Sequence, residues 1–353
     1  MIDKKLLKDA EKGDSTAQYL LGKAYLLSEG VNQDLKEAEV WLKKAAKQNI
    51  LEAYSALGVL YEIKEDWQKS FDSYKTAAEN GIPEGECALA EIYYYLDSPG
   101  RNSPLQSKYG DIGIKRDYKK AFELFTKASA KILGGGKNQA TALYNLGMMY
   151  IHGQGTEQNY EDGLFWLKSS AAFDYADAEY AIGMVYHKGL GVQKNLNEAF
   201  VWYKKAADRD HPEAQFSIVG FYGKGWGSIT KDENAALFWN KKSAKNGYYF
   251  AQRILGLIYK DGYVVEQDNE QALYWLEKGA AQGDMESCFE AGVLHLKLES
   301  LEGAAFFLNA ARKISQNEDN TYKLDNQKKV FIDLAWNQHY LSNHLKPNFT
   351  FRD

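Results

Sequence analysis

The sequence predicts an all-α array of stacked helical hairpins, and three observations carry that prediction. The stretch that begins at Ala178 begins again at Ala214, 36 residues further on, and recurrence at this length is the signature of stacked supersecondary units. Inside the unit the apolar residues keep helical period: Ala178, Ile182 and Tyr186 fall at i, i+4 and i+8, then Ala199, Trp202 and Ala206 at i, i+3 and i+7. Only 5 prolines occur in 353 residues, as a largely helical chain requires. The small alanine faces let helices approach closely, with Trp202 as a wedge in the core. Gly183 lies on the first stripe, where a glycine costs ~1 kcal/mol against alanine, and close approach of a neighbouring helix would compensate. Gly189 and Gly191 supply the turn between the helices.

The chain can be taken in order. Residues 1–16 predict the second helix of a truncated unit, an N-terminal cap with Leu6, Leu7 and Ala10 on its apolar face. The first full unit starts at Ala17 and carries Leu21-Gly22, Tyr25, Gly30-Val31, Ala38, Trp41 and Ala45-Ala46. The second starts at Ala53, keeps Leu57-Gly58 and Tyr61, but loses the glycine turn and has Ser73 where tryptophan is expected. The third starts at Gly85 and contains an insertion at about 97–116, rich in proline and glycine and read as irregular loop. Units four to seven start at Ala142, Ala178, Ala214 and Ala251, with structural tryptophans Trp166, Trp202, Trp239 and Trp275. The sixth has Val219 in place of glycine and a longer turn, Gly225-Trp226-Gly227. The eighth starts at Ser287, lacks the glycine turn and carries Phe307 at the tryptophan position. Residues 17–311 therefore form the array. Residues 312–353 leave the pattern, and Val330, Phe331, Leu334 and Leu341 suggest a C-terminal capping helix before a tail at Pro347.

The motif Ala-x-x-x-Leu-Gly-x-x-Tyr, then Gly-x-Gly-Val, then Ala-x-x-Trp-x-x-Lys-Ala-Ala resembles the Sel1-like repeat, a relative of the tetratricopeptide repeat with a longer turn. The resemblance covers about residues 17–311 in eight copies. It implies a right-handed superhelix of hairpins and a role as adaptor, regulator or assembly platform. It also implies that first helices line a concave face. With the leading alanine as zero and packing residues at 0, +4, +5 and +8, the inner rows fall near −1, +2, +6, +9 and +10. Row +2 starts Tyr19, Ser55, Cys87; row +6 starts Lys23, Val59, Glu91; row +9 starts Leu26, Glu62, Tyr94. In the central units Tyr94, Tyr95, Tyr144, Met148, Ile151, Tyr180 and Met184, with His187 and Phe216 beside them, form the expected partner-binding surface. Tyrosine and methionine offer large, adaptable contact area. The alternative at +2 is that tyrosine belongs to the repeat's own packing.

Composition limits the chemistry. The net charge is −5 and no basic stripe exists, so nucleic acid is not an expected partner. No apolar run reaches the ~18 residues of a membrane span. Residues 1–10 lack the apolar core of a signal peptide, so a cytoplasmic site is the expectation, with export possible if a signal is removed upstream. The 2 cysteines, Cys87 and Cys288, lie too far apart in such an array to pair. They are expected as buried thiols, unlike the paired cysteines of the family's cysteine-rich branch. His152, His187, His211, His295, His339 and His344 show no zinc spacing, Gly134-Gly135-Gly136 lacks the context of a phosphate loop, and no nucleophile elbow is present. The expected function is thus a non-enzymatic scaffold that binds a protein or peptide, without cofactor or metal. The resemblance allows two alternatives: an immunity-type antagonist that blocks a secreted bacterial toxin, and a penicillin-binding or β-lactam-hydrolysing enzyme, against which the missing cysteine pairs argue.

Overall fold

A computed structural model describes residues 4–96, 109–131, 136–316, 327–329 and Ile332. Every regular element among them is a helix. The chain divides into two compact units, Met1–Ala178 and Glu179–Asp353. The first contains α1 (Lys4–Glu11), α2 (Ser15–Leu27), α3 (Leu35–Lys47), α4 (Glu52–Ile63), α5 (Trp67–Glu79), α6 (Pro83–Tyr95), α7 (Tyr118–Lys131), α8 (Lys137–His152) and α9 (Tyr160–Ala171). Helix α10 (Ala176–Lys188) spans the division. The second unit continues with α11 (Leu196–Asp208), α12 (Pro212–Lys224), α13 (Glu233–Lys245), α14 (Tyr249–Asp261), α15 (Asn269–Ala281), α16 (Met285–Lys297) and α17 (Leu301–Gln316). Within each unit a helix packs chiefly on its neighbours in the chain, and in the first unit the first helices α2, α4, α6 and α8 also touch in succession. The expected all-α array of hairpins is the observed architecture.

Three recurring devices build a hairpin. The glycine at +5 is the shelf on which the second helix rests. A Cβ at Gly183 would lie 2.5 Å from Tyr203 Cδ1, and one at Gly147 would lie 2.7 Å from Leu167 Cγ. Gly58 faces Tyr74 and Gly256 faces Leu276 in the same way. The turn is closed by left-handed glycines, φ +71° at Gly189 and +66° at Gly191, and by the N–H of the next cap residue donating to the carbonyl of the recurring tyrosine, as in Asn195 to Tyr186 at 3.0 Å. The side chains of Asp34, Asp66, Asn159, Asn195, Asp232 and Asp268 then cap the second helices by accepting first-turn N–H groups. Each such cap is worth about 1 kcal/mol.

Tryptophan locks one hairpin to the one before it. Trp41 packs with Ala10 and Leu7 of α1 and with Leu21 and Tyr25 of α2. Trp275 packs with Ala244 of α13 and with Leu255 and Tyr259 of α14. These are the same repeat positions, seven residues before the leading alanine and four and eight after it. Trp41, Trp239 and Trp275 are buried, whereas Trp166 and Trp202 are half-buried.

A polar ladder runs beside the tryptophans. Gln18 donates to the Ala10 carbonyl while Gln48 donates to Gln18 and to the Gly13 carbonyl. Gln215 and Asn246 repeat this against Ala207 and Asp210, and Gln252 and Gln282 against Ala244 and Gly247. The three glutamines at +1 are buried, so each bond satisfies an amide that is costly to leave unpaired.

The ends and the insertion differ in part from expectation. Helix α1 packs on the first hairpin, with Leu6, Leu7 and Ala10 against Leu21. Helix α17 carries the eighth hairpin to Gln316, beyond the expected limit at residue 311. Ile332 is buried against Phe289 and Leu308, and Lys328 pairs with Glu286; Val330, Phe331, Leu334 and Leu341 lie outside the described residues. Of the insertion at 97–116, only the part from Tyr109 is described, and its turns and coil are packed against the first unit. Tyr109 is fully buried against Trp67 with ring centroids 5.6 Å apart. Its hydroxyl donates to Glu62 and accepts from Ser70, each at 2.8 Å. Ile112 and Ile114 join the cluster of Phe71, Leu89 and Leu96. The glycines at 134 and 135 are outside the described residues.

Candidate partner-binding faces

In the first unit the inner rows open onto a groove of about 410 Å³. Tyr19 and Lys23 come from α2, Ser55 and Val59 from α4, and Cys87 and Glu91 from α6. These are the expected +2 and +6 positions of three successive hairpins. The groove also contains Glu52 and Glu84 of row −1 and Leu27 of row +10, together with Asn138, which sequence reasoning did not pick out. Tyr74 reaches it from a second helix, through the gap left by Gly58. Leu27 and Val59 are exposed. Three carboxylates, those of Glu52, Glu84 and Glu91, face one ammonium, that of Lys23, which lies 5.5 Å from the Tyr19 ring centre. Burial, with Glu84 and Glu52 adding, raises the pKa of Tyr19, so its hydroxyl stays protonated. Burial also pushes the Cys87 thiol up to about 12.

Further along the first unit, Tyr94 and Ile151 are turned into the structure. Tyr94 is 9% exposed and donates its hydroxyl to Gln154 at 2.8 Å. Ile151 is 4% exposed and lies against Gly163 of its own hairpin. Both side chains are spent on packing. Tyr95 is half-buried and donates to Asn145 at 2.8 Å. Tyr144 stands edge-on to Tyr175, centroids 5.6 Å apart, and Met148 is half-buried.

In the second unit Tyr180 is covered on one face by His211, with rings stacked 4.7 Å apart. His211 is fixed because its Nδ1 accepts from the Ala214 N–H at the start of α12. Met184 is half-buried. His187 sits among Tyr203, Phe221 and Trp226. Burial, reinforced by Lys194 and Lys188, lowers its pKa, so the imidazole is neutral at pH 7. Phe216 packs edge-on to Tyr248 at 5.3 Å. Arg253 and Lys260, expected on the inner rows, are engaged by Asp284 at 3.0 Å and Glu290 at 2.7 Å, and so tie α14 to α16. Among the described residues no cluster of three or more His, Cys, Asp or Glu could hold a metal ion, and no helix is long and apolar enough to cross a membrane.

The Sel1 repeat family matches residues 15–50, 107–131, 140–172, 176–211, 213–248 and 250–284, together more than half of the chain. The chain belongs to the Sel1 repeat family. The hairpins outside these matches, the second and the eighth, are those without the glycine turn. The Sel1-repeat-containing protein YjcO of Escherichia coli K12 is 30% identical over 169 residues, which cover 47% of this chain and 65% of YjcO. The match thus spans somewhat less than two thirds of that relative. The crystal structure of a Sel1 repeat protein from Oxalobacter formigenes aligns over 80% of this chain and 76% of its own, at 31% identity and a TM-score of 0.61. The uropathogenic E. coli protective antigen c5321, of the same repeat fold, aligns over 94% of this chain and 78% of its own, at 25% identity and a TM-score of 0.49. Sel1 repeats generally mediate protein–protein interaction, and it is on their first helices that this Sel1 protein leaves Val59 and Leu27 uncovered.

Proposed function

We propose that this Sel1 repeat protein is a non-enzymatic scaffold that holds a protein segment along the first-helix faces of its hairpins. The observation that supports this most directly is the groove of the first unit. Three consecutive hairpins contribute the same repeat positions to one concavity, and its side chains are mostly apolar or acidic, some of them exposed. An excess of three carboxylates over one ammonium suits a segment that presents lysine or arginine beside apolar side chains, since complementary potentials steer association and select partners. In the first unit Tyr95, Tyr144 and Met148 keep part of their surface in solvent on the inner rows, with Tyr94 and Ile151 buried beside them, and in the second unit Tyr180, Met184, His187 and Phe216 keep part of theirs.

The test is affinity capture from lysate of the source cells with wild type and three variants, Val59→Glu, Met148→Glu and Met184→Glu, each checked by circular dichroism. A protein retained by wild type and lost by a folded variant supports the face to which that residue belongs. A toxin blocked by this chain would appear there as a single tightly held protein. Equal recovery by wild type and all three variants would refute the proposal.

A further inference from the structure

The second hairpin has a tryptophan site without its tryptophan. Ser73 occupies the position held by Trp41 in the first hairpin and Trp275 in the seventh. The surroundings of that position are nevertheless retained. Trp41 packs with Ala10, Leu21 and Tyr25, and Trp275 with Ala244, Leu255 and Tyr259. The equivalents in the second hairpin are Ala46 of α3 and Leu57 and Tyr61 of α4. These three side chains, with Ser73, form the floor of a surface cleft of about 410 Å³. The cleft is a place the repeat shapes for an indole and this hairpin leaves unfilled.

The sixth hairpin supplies a precedent for the charge beside it. Lys204 lies 5.2 Å from the ring centre of Trp239, and its equivalent ten residues before the leading alanine of the second hairpin is Lys43, on the rim of the cleft. Lys47 and Lys69 stand on the same rim, against one carboxylate, Asp72. Lys43 is paired with Glu39 and Lys69 with Asp66, while Lys47 is exposed. A cation over an aromatic face is favourable, most of all for tryptophan. Lys47, the exposed cation of that rim, in turn favours a carboxylate beside the ring.

We infer that this cleft, on the second-helix side of α3 and α5, docks a tryptophan side chain from an acidic segment of a partner protein. The ring enters between α3 and α5 onto Ala46, Leu57 and Tyr61, under Lys43, and a flanking carboxylate meets Lys47. The site is separate from the first-helix groove, so it stands or falls independently of the function proposed above.

The probe is the peptide acetyl-DEWED-amide with 5-fluorotryptophan, titrated with the full chain by fluorine NMR, beside acetyl-DEAED-amide as competitor. The expected result is saturable binding, with the alanine peptide weaker by about tenfold or more. Ser73→Trp fills the cleft with the chain's own indole. It is expected to raise the melting temperature and to abolish binding of the fluorinated peptide. Lys47→Glu, which leaves the floor intact, is expected to keep the melting temperature and weaken the acidic peptide. Absence of saturable binding to wild type, equal affinity of the two peptides, undiminished binding by Ser73→Trp, or a lower melting temperature for that variant would each overturn the inference.

Discussion

Gly256 allows the shelf argument to be tested by the sign of an effect. It lies inside α14, where glycine-to-alanine ordinarily stabilises by up to ~1 kcal/mol because the backbone loses less freedom on folding. Here the added Cβ would stand 2.6 Å from Leu276 Cγ and 3.0 Å from the Ala272 carbonyl oxygen. Leu276 is fully buried and the carbonyl belongs to the backbone of α15, so neither yields without moving the hairpin. Overpacking of this kind costs about 1–3 kcal/mol, which outweighs the propensity gain. Gly256→Ala is therefore expected to destabilise by ~1 kcal/mol, the difference between the overpacking cost and the helix gain. The control is Gly223→Ala in α12, where nothing lies within 4 Å of the new Cβ and only the gain remains. Urea denaturation of the two variants and wild type should move the midpoint down by about 0.5 M for Gly256→Ala and slightly up for Gly223→Ala, at unchanged m. A Gly256→Ala protein more stable than wild type would show that the helices do not rest on this glycine, and the shelf reading would fall.

Val264 is a β-branched residue at φ +63°, in a turn where other hairpins place glycine; Val264→Gly should stabilise by about 0.5–1 kcal/mol, the relief of left-handed strain less the entropy of glycine, read as a rise in melting temperature. Glu39 has its pKa lowered to about 2: burial opposes the shift, but hydrogen bonds from Lys43, Lys64 and Tyr61 outweigh it. Because the folded pKa is depressed, its contribution is present above about pH 4.5 and is lost as pH falls towards 2; Glu39→Gln should thus cost on the order of 1 kcal/mol or less at pH 7, given solvent screening, and nothing at pH 2. Burial holds the thiols of Cys87 and Cys288 up at about 12, so the native protein should leave Ellman's reagent unreacted at pH 8 and titrate 2 thiols once unfolded.

The hairpins and the tryptophan wedge were legible because they depend on residue types that recur on an apolar stripe. Gly22, Gly58, Gly147, Gly183, Gly256 and Gly292 all sit five residues after the leading position, and each meets a second-helix side chain. The ladder was not legible, because its +1 position is Gln18, Gln215 and Gln252 in three hairpins but Glu179 in another, and only the geometry shows a common role. The caps were hidden likewise, as aspartate and asparagine alternate there. On the candidate face the +2 and +6 positions of three hairpins line the groove of the first unit, but +9 sits about 40° round the helix from the +5 glycine. That puts it on the shoulder where the second helix comes closest, so Leu26, Tyr94 and Ile151 are buried. The packed half of the insertion escaped notice because one tyrosine, Tyr109, anchors a stretch whose composition reads as loop.

The ladder has a consequence for how such a chain changes length. Gln215 reaches back to the Ala207 carbonyl, and Gln252 reaches back to the Ala244 carbonyl, in each case across eight residues. Excising residues 215–251 would bring Gln252 directly after Ala214, within the same eight residues of Ala207, and Gln282 would inherit the carbonyl of Asp210 that Asn246 now takes. A deletion that is not a whole number of hairpins would strand a buried amide at the seam. Whole hairpins are therefore the quantum of gain or loss in this array, and the seam between two of them carries its own proofreading in hydrogen bonds.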